Sequence, residues 1–443
     1  MKVLLLGEYS NLHYTLACAL RDMGHDVRLV SDGDEWKRYP ADVKLIRRST
    51  GLFDTIVYLF RLVREMRHWR GYDVVQLINP VHFIQLKAER GIRIYDWLRR
   101  HNRKVFLGAF GDDYYFIHAS YVRRLLRYSD FYTPTREVVH PWNQHNIDCW
   151  LNNQGMVRSC QHIAQTCDGI IAALYEYYVA YTAVPDLASK TTFIPLPIRS
   201  QQDNKSTCQQ DNKSTSQQDN ESTCQPMEQR AENRRTKQEH SPSSLGWAMP
   251  CKEEENEVNG VYSNYPESRQ RSSVAQQDNK SHPIRFFIGI QRQRSALKGT
   301  DILLKVAREL QARYPNRMEL VTAENLPYDE YIKLREGCDV LLDQIYSYTP
   351  AMNALQAMAH GIAVVSGGEE EQYELLGEHE LRPIINTQPE EEDVRATLED
   401  LILHPERLPE LRRQSILYVQ RHHESHKVAQ QYLDFWAASG KKS

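Results

Sequence analysis

Short, almost uninterrupted apolar runs alternate along the chain with stretches in which apolar residues return every three or four positions. Residues 2–6, KVLLL, have the first pattern and read as a buried strand. After the loop GEYS, residues 11–24 read as a helix, with Leu12, Leu16, Ala19, Leu20 and Met23 on one face and Gly24 as its stop. The same criteria predict strands over residues 26–30, 43–46, 73–78, 104–108, 169–172 and 191–194, with helices over 52–69, 83–100 and near 175–181. The pattern resumes downstream with strands over 284–289, 318–321, 339–342, 362–365 and 382–385. Helices are predicted there over 299–314, 328–336, 350–360, 391–403, 406–423 and 427–438. Strands apolar on both faces and interleaved with helices mean parallel sheets covered on both sides. The expectation is an α/β chain with two Rossmann-like domains, residues 1–199 and 283–424, facing across a cleft. Residues 425–443 are expected to carry a last helix back to the first domain.

Between the domains the pattern vanishes. QQDNKST occupies residues 201–207 and 209–215, QQDNEST follows at 217–223, and QQDNKS returns at 276–281. These repeats offer no apolar position to stack, so a solenoid is rejected. Residues 200–282 read as a disordered low-complexity insertion or linker. Such a polar segment accounts for a mean hydropathy of -0.62 in a chain that is 41% hydrophobic. The net charge of -3 argues against a globally basic nucleic-acid binder. No run reaches the roughly 18–20 apolar residues of a membrane span, and MKVLLLGEYS lacks the layout of a signal peptide. The 8 cysteines include no C-x-x-C pair and read as scattered thiols of a reducing, cytoplasmic compartment.

Candidate chemistry follows from position, because open α/β sheets bind ligands beyond the carboxyl ends of their strands. Gly7, Glu8, Tyr9 and Ser10 occupy such an end, with one glycine where a dinucleotide fingerprint wants three. In the second half, Gly289 closes a strand, and Arg292, Arg294 and Lys298 fill the loop before the next helix. Cations beside a helix N-terminus suit an anion. The stretch DQIYSYTPAMNALQAMAHG, from Asp343 to Gly361, sets a loop, Pro350 and a helix after another strand. Asn79, His82, Asp112, Asp113 and His118 lie near strand ends of the first half, with a plain turn at Gly111-Asp112 and a helix cap at Asp113 as the alternative. His140, His145 and the HHESH run at 422–426 read as exposed surface histidines, and no metal site is expected.

The stretches KGTDILL at 298–304 and QAMAHGIAVVSGG at 356–368, with the closing helix to Trp436, resemble a GT-B glycosyltransferase of the family-four type (glycosyl transferases group 1). CDGIIAA at 167–173 and TFIPLPI at 192–198 resemble its N-terminal strand and hinge. The resemblance covers the chain apart from the insertion. It implies transfer of a sugar from a nucleotide-sugar donor to a glycan or lipid-linked acceptor, with retention, in cell-surface polysaccharide or glycolipid assembly. It implies Arg292 and Lys298, with Arg294 in reserve, as the cations that stabilise the leaving diphosphate, so neither metal nor organic cofactor is expected. Asp112 is the further catalytic candidate. Tyr348, Thr349, Pro350, Ala351, Met352, Asn353 and Gln356, with Gly289, are expected on the donor side. Gly7 to Ser10, Asn79, His82, Asp113 and His118 are expected on the acceptor side.

Two positions depart from the family pattern. Tyr348 and Gln356 stand where it has glutamates, the later of which binds the nucleotide ribose. A non-catalytic nucleotide- or sugar-binding protein, and a nucleotide-sugar epimerase of the same architecture, are therefore kept as alternatives. The helix over 52–69 carries Arg61, Arg64 and Arg67, followed by Arg70, among apolar residues. It reads as a solvated face over an inward apolar stripe, with a helix lying on the inner face of a membrane as the alternative.

Overall fold

The structure is a computed structural model that describes residues 1–32, 34, 39–49, 51–199, 282–291, 295–324 and 326–439. The repeat segment expected as an insertion lies outside these residues except for His282. Two wholly parallel sheets organise the rest. The first comprises β1 (Lys2–Leu6), β2 (Asp26–Ser31), β3 (Val43–Lys44), β4 (Val74–Leu77), β5 (Lys104–Ala109), β6 (Gly169–Ala172) and β7 (Thr191–Phe193), in the order β3-β2-β1-β4-β5-β6-β7. The second comprises β8 (Ile284–Ile290), β9 (Met318–Glu324), β10 (Val340–Leu342), β11 (Ala363–Val365) and β12 (Ile384–Ile385), in the order β12-β11-β10-β8-β9.

The apolar runs become central strands for a simple reason. Val3 pairs with Val27 on one side and Val74 on the other, and Val3 to Leu6 are buried on both faces. Such strands need helices above and below, and parallel neighbours need crossovers to provide them. Helix Leu12–Asp22 follows β1, and Thr300–Arg313 follows β8.

The last helix, Ser425–Ala438, lies on the first sheet. Trp436 Nε1 donates to Gln76 Oε1 at 3.3 Å, Lys104 Nζ donates to the Trp436 carbonyl at 2.6 Å, and Phe435 packs on Phe106. Beside it, the Ile198 N–H donates to the His423 carbonyl at 2.7 Å, tying the end of the first domain to the start of that helix.

Several expectations change in detail. The helix predicted from residue 83 begins at Ala88, because Asn79 Oδ1 accepts the Val81 and His82 N–H groups and holds the chain in a turn after β4. The helix predicted to residue 69 ends at Met66, and Trp69 turns inward. The histidines of the HHESH run are not the exposed set expected. His423 is buried and bonds the Leu196 carbonyl through Nδ1, while His422 Nε2 pairs with the buried Glu378 carboxylate at 2.6 Å. Helices Pro141–Ile147, Gln154–Thr166 and Glu370–Leu376 were not anticipated.

Candidate functional site

In the second sheet the chain leaves β8 for β9 on one side and then crosses to β10 on the other. A doubly wound sheet opens its ligand crevice where the strand order reverses in this way, at the carboxyl ends of β8 and β10. Three loops knit together there. The Lys298 carbonyl accepts the Ile345 N–H at 3.0 Å, and the Gly367 N–H donates to the Gln344 carbonyl at 3.0 Å. Gly299, at φ 68, caps helix Thr300–Arg313, and a Cβ on it would come within 2.3 Å of Ile345. At Gly367 a Cβ would lie 1.8 Å from the Ser347 carbonyl oxygen, so no other residue fits without moving the loop.

Lys298 is half-buried at this crevice, in the short helix Ser295–Lys298. Arg292 and Arg294 lie outside the described residues. Gly289 is covered by the Tyr331 ring. Thr349 and Pro350 are buried, and Ala351 and Met352 open helix Met352–Ala359. Asn353 is committed to internal partners, since Nδ2 donates to Asp343 while Oδ1 accepts from Tyr331 and Arg335. Gln356 is only half-buried, and its Oε1 accepts the Tyr328 hydroxyl at 3.4 Å.

A first-domain residue reaches into the same loop. Glu176, in helix Tyr175–Thr182, accepts the N–H groups of Tyr348 and Thr349 and the Thr349 hydroxyl. Its burial pushes the carboxyl pKa up, against the hydrogen bonds that lower it. Tyr348 is buried between Tyr175, stacked at 5.5 Å, and Tyr128 at 4.9 Å, and the Arg127 N–H donates to its hydroxyl at 2.6 Å. Arg127 also pairs with Glu371 and, at 2.6 Å, with Glu369. Glu369 takes further hydrogen bonds from Tyr128, Asn386 and Gln388. Burial would raise its pKa, but these donors and Arg127 hold it below the usual carboxylate value.

On the first-domain side, Gly7 follows β1 at φ 87, and Ser10 donates its N–H to Asp34. Glu8 accepts the His13 and Tyr14 N–H groups in the first turn of helix Leu12–Asp22, and burial raises its pKa to about 8. The Tyr9 ring packs over Gly111. Asn79 is fully buried and also donates to the Asp112 carbonyl. Asp113 is buried, with one oxygen capping Phe116 N–H and the other accepting the Tyr181 hydroxyl at 2.6 Å, and burial lifts its pKa to about 6. The cap reading therefore describes Asp113. Asp112 is partly exposed and accepts from Asn146 Nδ2 at 3.2 Å. His118 stacks on Tyr114, and the His82 ring meets Trp150 edge-on, with burial lowering the His82 pKa to about 4.

Residues 289–434, about a third of the chain, match the family model described as glycosyl transferase-like. No curated protein matches the chain by sequence. Among solved structures, the Anabaena protein HepE in complex with UDP-glucose aligns at TM-score 0.51 and 13% identity, covering 99% of this chain and 100% of that one. Sucrose-phosphate synthase from Thermosynechococcus elongatus aligns at TM-score 0.52 and 11% identity, covering 99% and 98%. The fold is GT-B. The GT-B cleft of this chain is also bridged where Tyr39 of the first domain meets the Tyr328 ring at 5.9 Å, next to Gln356, and where the Thr133 and Thr135 hydroxyls donate to Glu390. Sequence reasoning missed Glu176, Arg127 and Glu369. A signal existed for two of them: Glu176 opens the helix after β6, and Glu369 follows β11 within a few residues, both at carboxyl ends of strands.

Proposed function

We propose that the chain transfers a sugar from a nucleotide-sugar donor to a glycan or lipid-linked acceptor, with retention, in cell-surface polysaccharide or glycolipid assembly in the cytoplasm. The observation that carries this reading is Lys298 beside the β8–β10 crevice, inside the segment that matches the glycosyl transferase-like family. In the reaction the bond from the anomeric carbon to the diphosphate oxygen breaks. The acceptor oxygen bonds that carbon from the same face and gives up its proton. Negative charge gathers on the departing diphosphate, and a fixed cation at the crevice stabilises it most when it is fully developed. Lys298 takes that role, with Arg292 and Arg294 expected beside it. We assign receipt of the acceptor proton to Asp112, which is partly exposed in the loop after β5.

A second reading, donor binding without transfer, has its own support. Tyr348 and Gln356 replace two carboxylates, and the N–H groups of Tyr348 and Thr349 are taken up by Glu176. Release of free nucleotide from UDP-glucose and a panel of other nucleotide sugars separates the two. Transfer predicts release that falls by roughly 10²–10³ in Lys298→Ala, the loss typical of removing one charge-stabilising donor, with an unchanged melting temperature. Binding without release by the wild type, across donors and candidate acceptors, overturns the transfer reading.

A further inference from the structure

We propose that the outward face of helix Leu52–Met66 docks on an anionic lipid surface. The helix has two apolar faces, of which the fold uses one. Tyr58 and Leu62 are buried inward, and the Tyr58 hydroxyl accepts the Gln85 N–H at 3.0 Å, fixing how the helix is turned. Leu52, Phe53, Ile56, Val57, Phe60 and Val63 point away, and at a helical turn of about 100° per residue they share one sector about 140° wide. Leu52, Phe53 and Phe60 are 79%, 77% and 69% exposed. Single exposed apolar side chains are ordinary, but a contiguous set on one helix marks a contact surface.

Charge decides the occupant. Arg64 lies within the apolar sector, Arg67 and Arg70 follow it, and Arg48 stands just before the helix, all exposed. The nearby acids are engaged, Asp54 with the Ser49 hydroxyl and Glu65 with Arg28. An apolar stripe rimmed by arginines is the arrangement that lies in a lipid interface, acyl chains taking the stripe and anionic headgroups the rim. A second copy of the chain would bring two arginine rims together. Among the described residues no helix is long and apolar enough to cross a membrane, so this helix lies on the surface. Gln85, bonded to Tyr58, also bonds Asp32 just beyond β2, which places the helix beside the strand-end loops of the first domain. The inference does not rest on sugar transfer, since a binding module would dock in the same way.

The test is flotation of the full chain with vesicles of phosphatidylcholine containing phosphatidylglycerol, against vesicles of phosphatidylcholine alone. Binding to the anionic vesicles is expected, weakening as salt is raised. Phe53→Gln with Phe60→Gln should weaken it at least tenfold at an unchanged melting temperature, because both side chains are already in solvent. Arg64→Gln with Arg67→Gln should weaken it about thirtyfold, what two surface cations at about 1 kcal/mol each contribute. Equal binding to both vesicle types, no binding, or binding indifferent to the phenylalanine pair overturns the proposal. A wild-type dimer that the phenylalanine substitutions dissolve overturns it in favour of a second copy.

Discussion

At the scale of single residues, what could be read in advance depended on how far away the partner sits in the chain. Lys298, the loop from Tyr348 to Met352 and Gln356 could be singled out as candidates because each lies one turn or loop beyond an apolar run. Glu176 was not, because its meaning comes from N–H groups 172 and 173 residues on. Asp113 and Asn79 drew attention as polar residues near strand ends, yet each is turned into the protein to complete a local turn. Gln356 keeps part of its surface free. A carboxylate there would still accept the Tyr328 hydroxyl, so Gln356→Glu preserves the helix. A charged acceptor gains about 1.5–3 kcal/mol in a hydrogen bond against about 1 for a neutral one. Gln356→Glu is therefore expected to tighten nucleotide-sugar binding by about two- to thirtyfold. Calorimetry showing one affinity for wild type, Gln356→Glu and Gln356→Ala would place this side chain away from the donor.

At the scale of elements, long apolar periods were readable and short or diluted ones were not. Helix Gln154–Thr166 buries Met156, Ser159, Cys160, Ile163 and Ala164, a sound helical period in which serine and alanine stand where larger apolar residues would have announced it. Helix Leu52–Met66 was found, but its periodicity could not show that one of two apolar faces is left over. The junction at His423 was misjudged because a histidine pair in a charged run looks like surface. Burial holds the His423 ring neutral, with a pKa near 4 against an ordinary 6.5, even though its bond to Leu196 favours the charged form. Its contribution is present in full above pH 6.5 and is lost as the pH falls toward 4, because the unfolded chain takes up a proton that the folded chain refuses. The loss is about 1.4 kcal/mol per pH unit across that window. His423→Phe is expected to cost about 1 kcal/mol at pH 7 for the missing hydrogen bond. Its stability should then decline less steeply below pH 6.5, by one proton's worth. Urea unfolding at pH 7 and pH 5 measures both, and equal slopes for the two proteins would remove the assignment.

At the scale of the whole molecule, the alternation of strands and helices was enough to propose two parallel α/β domains, and the GT-B comparisons agree. How the domains meet was not legible, because no periodicity reports a contact between side chains far apart in the chain. Besides the Tyr39–Tyr328 ring contact and the Thr133 and Thr135 hydroxyls on Glu390, two bridges of different energetics join them. Arg127 pairs with Glu369 and Glu371, but its side chain is 53% exposed, and Glu369 retains Tyr128, Asn386 and Gln388 without it. Exposed ion pairs contribute about 0–1 kcal/mol. Glu176 is buried, and removing it strands the Tyr348 and Thr349 N–H groups, at about 1–3 kcal/mol each if no water reaches them. A two-domain chain has an easier response than unfolding, which is to part the domains and let water satisfy both groups. Glu176→Ala is therefore expected to open the cleft, raising the radius of gyration in small-angle scattering, with a lowered melting temperature. Arg127→Ala should change either quantity much less. If Arg127→Ala proves the more damaging, or Glu176→Ala leaves both quantities at the wild-type value, the buried carboxylate is not what holds the two domains together.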